Sequence, residues 1–272
     1  MTNNCTLGVE GAATGSTCYQ NLCDSENYYC WNIEFYRGPQ EDRIQGLLLG
    51  EQVVLALTDQ LRGSGRNVTC DNFSTSLHLA RELLNRNMTL VGTVHVNRHE
   101  IPSSVTTHQQ PELYSSKQAT NNSGENQVLL VSYVAKRNNK VVNLLSTVHR
   151  KSMVESVPKH KPDVVTYYNS TKGEVDAADE RVSTCSVKFK SRRWHIIFFC
   201  KIVDLSVLNA FVTHIIKNPE WNQGKLQRRR LFLLALGYSL LSDNLHECTT
   251  CSRVGGRPAI ASPVELLKRG DC

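Results

Sequence analysis

The sequence predicts a mixed α/β domain, and three observations carry that prediction. A short β-branched segment, residues 66–70, ends at Asp71 and runs into a helical pattern opening near Ser74. Two alternating segments, residues 128–135 and 141–148, flank a polar stretch at 136–140 and read as a β-hairpin. Residues 194–217 are apolar on nearly all sides, the pattern of a long buried helix. The predicted order is strand, helix, strand, helix, strand, hairpin and three helices.

Each element follows from its local pattern. Residues 1–17 are rich in Gly, Thr and Asn without periodicity, so they are expected to be disordered. Residues 27–37 alternate aromatic and polar side chains as a strand does, and Gly38-Pro39 ends them. A helix is expected over 50–61, where Val53, Val54, Leu55, Leu57 and Leu61 supply the apolar positions. Ser74 is expected to cap a helix over 75–84 with Leu77, Ala80 and Leu84 on one face. Asp71 therefore stands at the carboxyl end of a strand, where open α/β sheets place ligands.

Residues 89–96 read as another strand, 103–125 as a polar loop and 151–162 as a basic linker. Turn chemistry at Asn169 and Gly173 leads into a helix over 175–183. Asp176 and Asp179 share one face of that helix, close to its positive end. A further helix covers 226–241, and the tail 242–272 reads as irregular.

Composition narrows the function classes. A net charge of +6 over 272 residues permits a polyanionic partner without requiring one. The ten cysteines are scattered, with one CxxC pair at Cys248 and Cys251, and read as reduced intracellular thiols. Six Asn-x-Ser/Thr sequons, at Asn4, Asn67, Asn72, Asn87, Asn121 and Asn169, are expected to be unused. Residues 1–15 have neither the basic start nor the apolar run of a signal peptide. Residues 194–216 match the ~20 apolar residues a bilayer needs, yet contain Lys201, Asp204, Asn209 and His214, so no membrane span is expected. His95 with His99, and Cys248 with Cys251, each fall short of the four ligands of structural zinc.

Two longer motifs resemble a known family. Val68-Thr69-Cys70-Asp71-Asn72-Phe73-Ser74-Thr75-Ser76, followed by Val91-Gly92-Thr93-Val94-His95-Val96-Asn97-Arg98, is similar to the central block of piggyBac-type transposases. Tyr168-Asn169-Ser170-Thr171-Lys172-Gly173-Glu174-Val175-Asp176-Ala177-Ala178-Asp179, with Arg192-Arg193-Trp194, resembles the family's later signature. Asn209-Ala210 and residues 228–237 continue it.

The resemblance implies an RNase H-like core over 18–241, interrupted by a β-rich insertion and linker over 103–162. It implies DDE/D cut-and-paste chemistry on DNA, in which three aspartates hold two divalent ions, normally Mg²⁺. Asp71 matches the second acid and Asp176 the third, with Asp179 as an additional metal carboxylate. Lys190, Arg192 and Arg193 would contact the DNA backbone, and Trp194 would anchor the core. A nuclear location and a homodimer follow from the same likeness.

The first acid has no match. The family carries it on a strand upstream of the segment that Cys23-Asp24-Ser25 resembles, and Asp24 itself aligns beyond it. Glu174 also departs from the family's usual second glycine. The sequence therefore predicts an incomplete, truncated core and a catalytically inactive transposase-derived protein. Two alternatives stand beside it: an active metal-dependent nuclease with a substitute ligand, and a DNA-binding module without chemistry.

Overall fold

One sheet of eight strands organises residues 1–209. The computed structural model describes residues 6–14, 17–35, 47–106, 112–123, 126–135, 141–153 and 161–250. The strands are β1 (Thr6–Thr14), β2 (Thr17–Asp24), β3 (Cys30–Phe35), β4 (Asn67–Cys70), β5 (Thr89–Thr93), β6 (Ser116–Ser123), β7 (Asn126–Val134) and β8 (Val141–Ser146). The helices among the described residues are α1 (Leu49–Leu57), α2 (Leu77–Asn85), α3 (Ser103–Thr106), α4 (Asp163–Thr171), α5 (Glu174–Thr184), α6 (Trp194–Lys217) and α7 (Arg228–Thr250).

The strand order is β3-β2-β1-β4-β5-β8-β7-β6. The central strands β1, β4 and β5 run parallel, while β2, β3, β8, β7 and β6 extend the sheet antiparallel on both sides. A parallel centre needs crossover connections, and α1 and α2 lie in those crossovers.

Pleating divides the core into two layers. Val68, Cys70 and Leu90 bury one face of the sheet with Val54, Leu57, Leu79 and Leu83 from α1 and α2. Val91, Leu129, Val131 and Leu144 point to the opposite face, under Val164, Val165 and Tyr168 of α4.

The hairpin is present as expected: β7 pairs with β8 antiparallel, with Leu130 opposite Leu145. It is continuous with the main sheet, because Gly92 of β5 pairs with Leu145 of β8.

Several expectations change. Residues expected to be disordered at the start of the chain form β1, the strand between β2 and β4, so the core does not lack its first strand. Hydrophobic periodicity is weak in a strand where only Leu7 and Val9 stand out among Gly, Ala and Thr; register with its neighbours defines it. The polar stretch expected to be a loop contains β6, whose backbone pairs with β7 from Ser116↔Tyr133 to Ser123↔Asn126. The expected turn at Asn169 is the last part of α4; the break falls at Lys172 and Gly173. Ser76 rather than Ser74 caps α2, accepting from the Leu79 amide at 2.9 Å. Helix α7 continues to Thr250, beyond the predicted end at 241, and residues 251–272 lie outside the described residues.

Helix α6 has the predicted bounds but is not buried all round. Cys200, Asp204, Leu205 and Leu208 form its buried stripe, while Trp194, Phe199 and Ile216 are exposed. Trp194, expected as a core anchor, is 68% exposed. By length and composition α6 could cross a bilayer, although core helices share that composition. Its polar residues Lys201, Asp204 and Asn209 are all engaged: Lys201 bonds α5, Asn209 bonds β3, and Asp204 bonds the segment between α5 and α6.

The chain divides into two compact units, residues 1–209 and 210–272. The second unit has its own aromatic cluster. Phe232 of α7 lies 5.5 Å from Phe211 and 5.2 Å from His214 between ring centroids, and Trp221 packs edge-on against both His214 and Phe232.

Candidate functional site

Asp71 is fixed by the turn that follows it. Its Oδ1 accepts from the Ser74 amide at 3.2 Å, and its carbonyl accepts from the Thr75 hydroxyl at 2.6 Å and the Thr75 amide at 3.1 Å. This tight turn lies directly on β5. A Cβ on Gly92 would overlap Thr75 Oγ1 and meet the Cys70 carbonyl at 2.8 Å, so only glycine fits there. The same turn lies against α1, where a Cβ on Gly50 would meet the Phe73 carbonyl at 2.9 Å. Burial pushes the thiol of Cys70 well above its ordinary value, as expected for an inert core thiol rather than a nucleophile.

The start of α5 is drawn toward the same strand end. Thr69, two residues before Asp71, donates its hydroxyl to Thr171 Oγ1 at 3.0 Å, and Thr171 is the last residue of α4. The chain then turns through Lys172 and Gly173 into α5, which carries Asp176 on its first turn. The side chain of Asp176 lies outside the described residues.

Register supplies a residue that sequence reading missed. β1 runs parallel to β4, and its last aligned pair is Val9↔Cys70. Glu10 is the next residue of β1, one step beyond that pair, as Asp71 is one step beyond Cys70. Its backbone pairs with Asn21 of β2, and its side chain also lies outside the described residues. Asp24 has a different task. Its buried carboxylate accepts from the Glu26 amide at 2.8 Å and the Asn27 amide at 3.3 Å, closing the turn between β2 and β3.

Asp179 is held by a cation from the chain itself. Lys201 Nζ of α6 donates to its Oδ1 at 2.8 Å, with the two side chains 13% and 23% exposed. Tyr19 Oη donates to both carboxylate oxygens at 3.3 Å and Asn21 Nδ2 to Oδ1 at 3.4 Å, so β2 completes the surround. The ammonium also lies 4.2 Å from the centre of the Tyr19 ring.

Burial pulls the Lys201 pKa down, but the Asp179 carboxylate and Tyr19 outweigh it, and the net shift is upward. Burial raises the Tyr19 phenol as well. These groups line one wall of a cleft of about 350 Å³ that Phe35, Phe198 and Asp204 also border. The signal in the sequence was polar phase: Asp204 falls on the stripe that α6 buries and Lys201 lies beside it with its side chain 13% exposed, where an unpaired charge would be costly.

The described side chains do not fit a two-cation centre. No group of three His, Cys, Asp or Glu residues among them could hold a metal ion. Asp179 already neutralises an ammonium, and Asp71 accepts from a backbone amide.

The segment between α5 and α6 presents a different chemistry. Lys188, Lys190, Arg192 and Arg193 are all exposed, and they alternate with exposed Phe189 and Trp194. Asp204 anchors this segment, accepting from the Ser186 hydroxyl at 2.5 Å and the Val187 amide at 2.8 Å. A strip of cations interleaved with exposed aromatic faces suits a phosphate backbone with unstacked bases.

Comparison with known proteins relates the chain to transposases. A sequence profile described as Transposase IS4 matches residues 12–211. A solved structure, the cryo-EM structure of a piggyBac transposase synaptic complex with hairpin DNA, is 26% identical and superposes with a TM-score of 0.75. The likeness covers 96% of this chain and 61% of that one, so the chain spans under two thirds of that transposase's length. With a profile match over most of its length and a structural match at 26% identity, the chain belongs to the IS4/piggyBac-type transposase family, with that family's RNase H-like fold.

Proposed function

We propose that this chain is a transposase-derived protein that binds DNA in the nucleus without cutting it. The observation that carries the reading is the Lys201–Asp179 ion pair: a fixed ammonium satisfies one of the carboxylates that the family likeness assigns to metal. Fewer free carboxylates mean weaker binding of hard divalent cations, which require several oxygen ligands. The exposed strip from Lys188 to Trp194 supports the DNA partner, as does the DNA-bound state of the related piggyBac complex.

DNA binding is tested by charge reversal. Arg192→Glu with Arg193→Glu should weaken binding of a DNA duplex and reduce the slope of log affinity against log salt by about 2, one for each lost phosphate contact. Wild-type protein that fails to bind DNA at low salt would overturn the proposal.

A second reading is favoured by the register of Glu10. Its place beside the Asp71 strand end is where a substitute first acid would stand. On that reading the chain nicks supercoiled plasmid in Mn²⁺, and both Glu10→Gln and Asp71→Ala abolish nicking. Nicking with that mutational pattern would replace the non-cleaving reading with this one.

A further inference from the structure

A pair of buried thiols lies on the edge hairpin, away from the strand end that carries Asp71. Cys23, near the end of β2, and Cys30, at the start of β3, are paired across the antiparallel ladder, where the register shifts between Leu22 and Cys23. Opposed residues on an antiparallel pair project to the same face, with Cα atoms about 4.5–5.5 Å apart, and at a bulge two residues of one strand oppose one of the other, so Cys30 still faces Cys23 across the shift. That range lies inside the span a disulfide bridges. Both thiols are buried, Cys23 fully and Cys30 to 7% exposure, and the Cys30 thiol donates to the Asn32 carbonyl at 3.5 Å.

The backbone around the pair is fixed from three sides. Asp24 and Tyr29 close the intervening turn through the Asp24 amide, which donates to the Tyr29 carbonyl at 2.9 Å. Asn209 of α6 grips the Cys30 peptide at both ends: its Oδ1 accepts from the Cys30 amide and its Nδ2 donates to the Cys30 carbonyl, each at 2.8 Å. The Arg181 guanidinium lies 4.1 Å from the centre of the Tyr28 ring, holding the turn against α5. These contacts hold the turn and the start of β3 in place beside β2.

We propose that Cys23 and Cys30 are a redox-active dithiol that hydrogen peroxide converts into a cross-strand disulfide, fastening the edge strand β3 to β2. Cys30, the more exposed of the two, attacks the peroxide. Its sulfur forms an S–O bond as the O–O bond breaks, and the departing hydroxide takes the thiol proton as water. Cys23 then attacks the Cys30 sulfenic acid; the S–S bond forms, the S–O bond breaks, and the second hydroxide leaves as water with the Cys23 proton. Two thiols lose two electrons and one peroxide becomes two waters. The Cys23 thiol, helped by the Lys201 ammonium, offsets burial and holds Cys30 below its ordinary pKa, while Cys23 is raised; this division of roles suits Cys30 as the attacking sulfur.

The test treats the full chain with hydrogen peroxide after complete reduction, alkylates the remaining thiols and maps peptides without reduction. The expected product joins the Cys23 and Cys30 peptides with the loss of two hydrogens, both thiols disappear together, and dithiothreitol restores them. In Cys23→Ala the bridge is absent and dimedone traps Cys30 as the sulfenic acid. Wild-type protein in which Cys23 and Cys30 are still alkylated after Cys185 and Cys200 have oxidised would sink the proposal. So would a Cys30 bridge to any other cysteine, and both readouts hold even if the variant fails to fold.

Discussion

The β4–α2 junction and the α5–α6 region hold their acids by opposite means. At the first, Asp71 is fixed by atoms within four residues: the Ser74 amide and the hydroxyl and amide of Thr75. At the second, Asp179 is fixed by Lys201, 22 residues onward, and by Tyr19, 160 residues before it. A locally closed turn survives changes elsewhere in the fold. A network assembled from three elements depends on all of them. The first arrangement leaves its acid partly open toward solvent; the second consumes its acid as structure.

Removing Lys201 should break that contrast most severely. Lys201→Met leaves a partly buried carboxylate without its counter-charge, and stability should fall by about 3 kcal/mol, the lower end for breaking a buried pair. Urea unfolding measures it. Adding Asp179→Leu to Lys201→Met should recover most of the loss, because two apolar groups leave nothing unpaired. If the double variant is no more stable than the single one, the ion pair is not the source of the effect.

The pair also has a pH signature. Lys201 has a folded-state pKa above its ordinary 10.5, so its contribution is complete below that value and is lost as pH rises through the folded pKa. The stability gap between wild type and Lys201→Met should therefore be constant at neutral pH and narrow only above pH about 10.5.

How much of this was legible in the sequence follows the same division. Asp71 could be placed at a strand-to-helix junction because a β-branched run leads into Leu77, Ala80 and Leu84 at helical spacing, although the face that α2 buries is Leu79, Ala80 and Leu83. The hairpin was legible for the same reason. β1 was not, because Gly8, Gly11, Ala12 and Ala13 carry no apolar signal, and only pairing with β2 and β4 defines the strand. That hidden strand is also what brings Glu10 level with Asp71. Lys201 was visible as an intrusive charge in an apolar helix, but its partner lies on another helix, and no local pattern connects the two.

The local junction has its own weak point in Gly92. Ala at this position puts a methyl group into Thr75 Oγ1 and the Cys70 carbonyl, and backbone atoms cannot swing aside as a long side chain can. Gly92→Ala should destabilise by about 2 kcal/mol, within the range for overpacking a tight site. The loss should be relieved in part by Thr75→Ser, which removes the nearby Cγ2 at 3.1 Å and gives the hydroxyl more freedom. Thermal unfolding of the single and double variants separates that relief from a general loss of packing.

Ser76 provides the mildest and most local test. Its hydroxyl accepts from the Leu79 amide at 2.9 Å at the start of α2, satisfying one of the amides a helix start leaves free. Ser76→Ala should cost about 1 kcal/mol, the usual price of a lost cap. Because Asp71 is tied to Ser74 and Thr75 rather than to Ser76, hydrogen exchange should quicken at Leu79 while the Ser74 and Thr75 amides remain protected. Faster exchange at all three would mean that the turn around Asp71 borrows its order from α2, and the local closure seen at this junction would then be a consequence of the helix rather than a property of the turn.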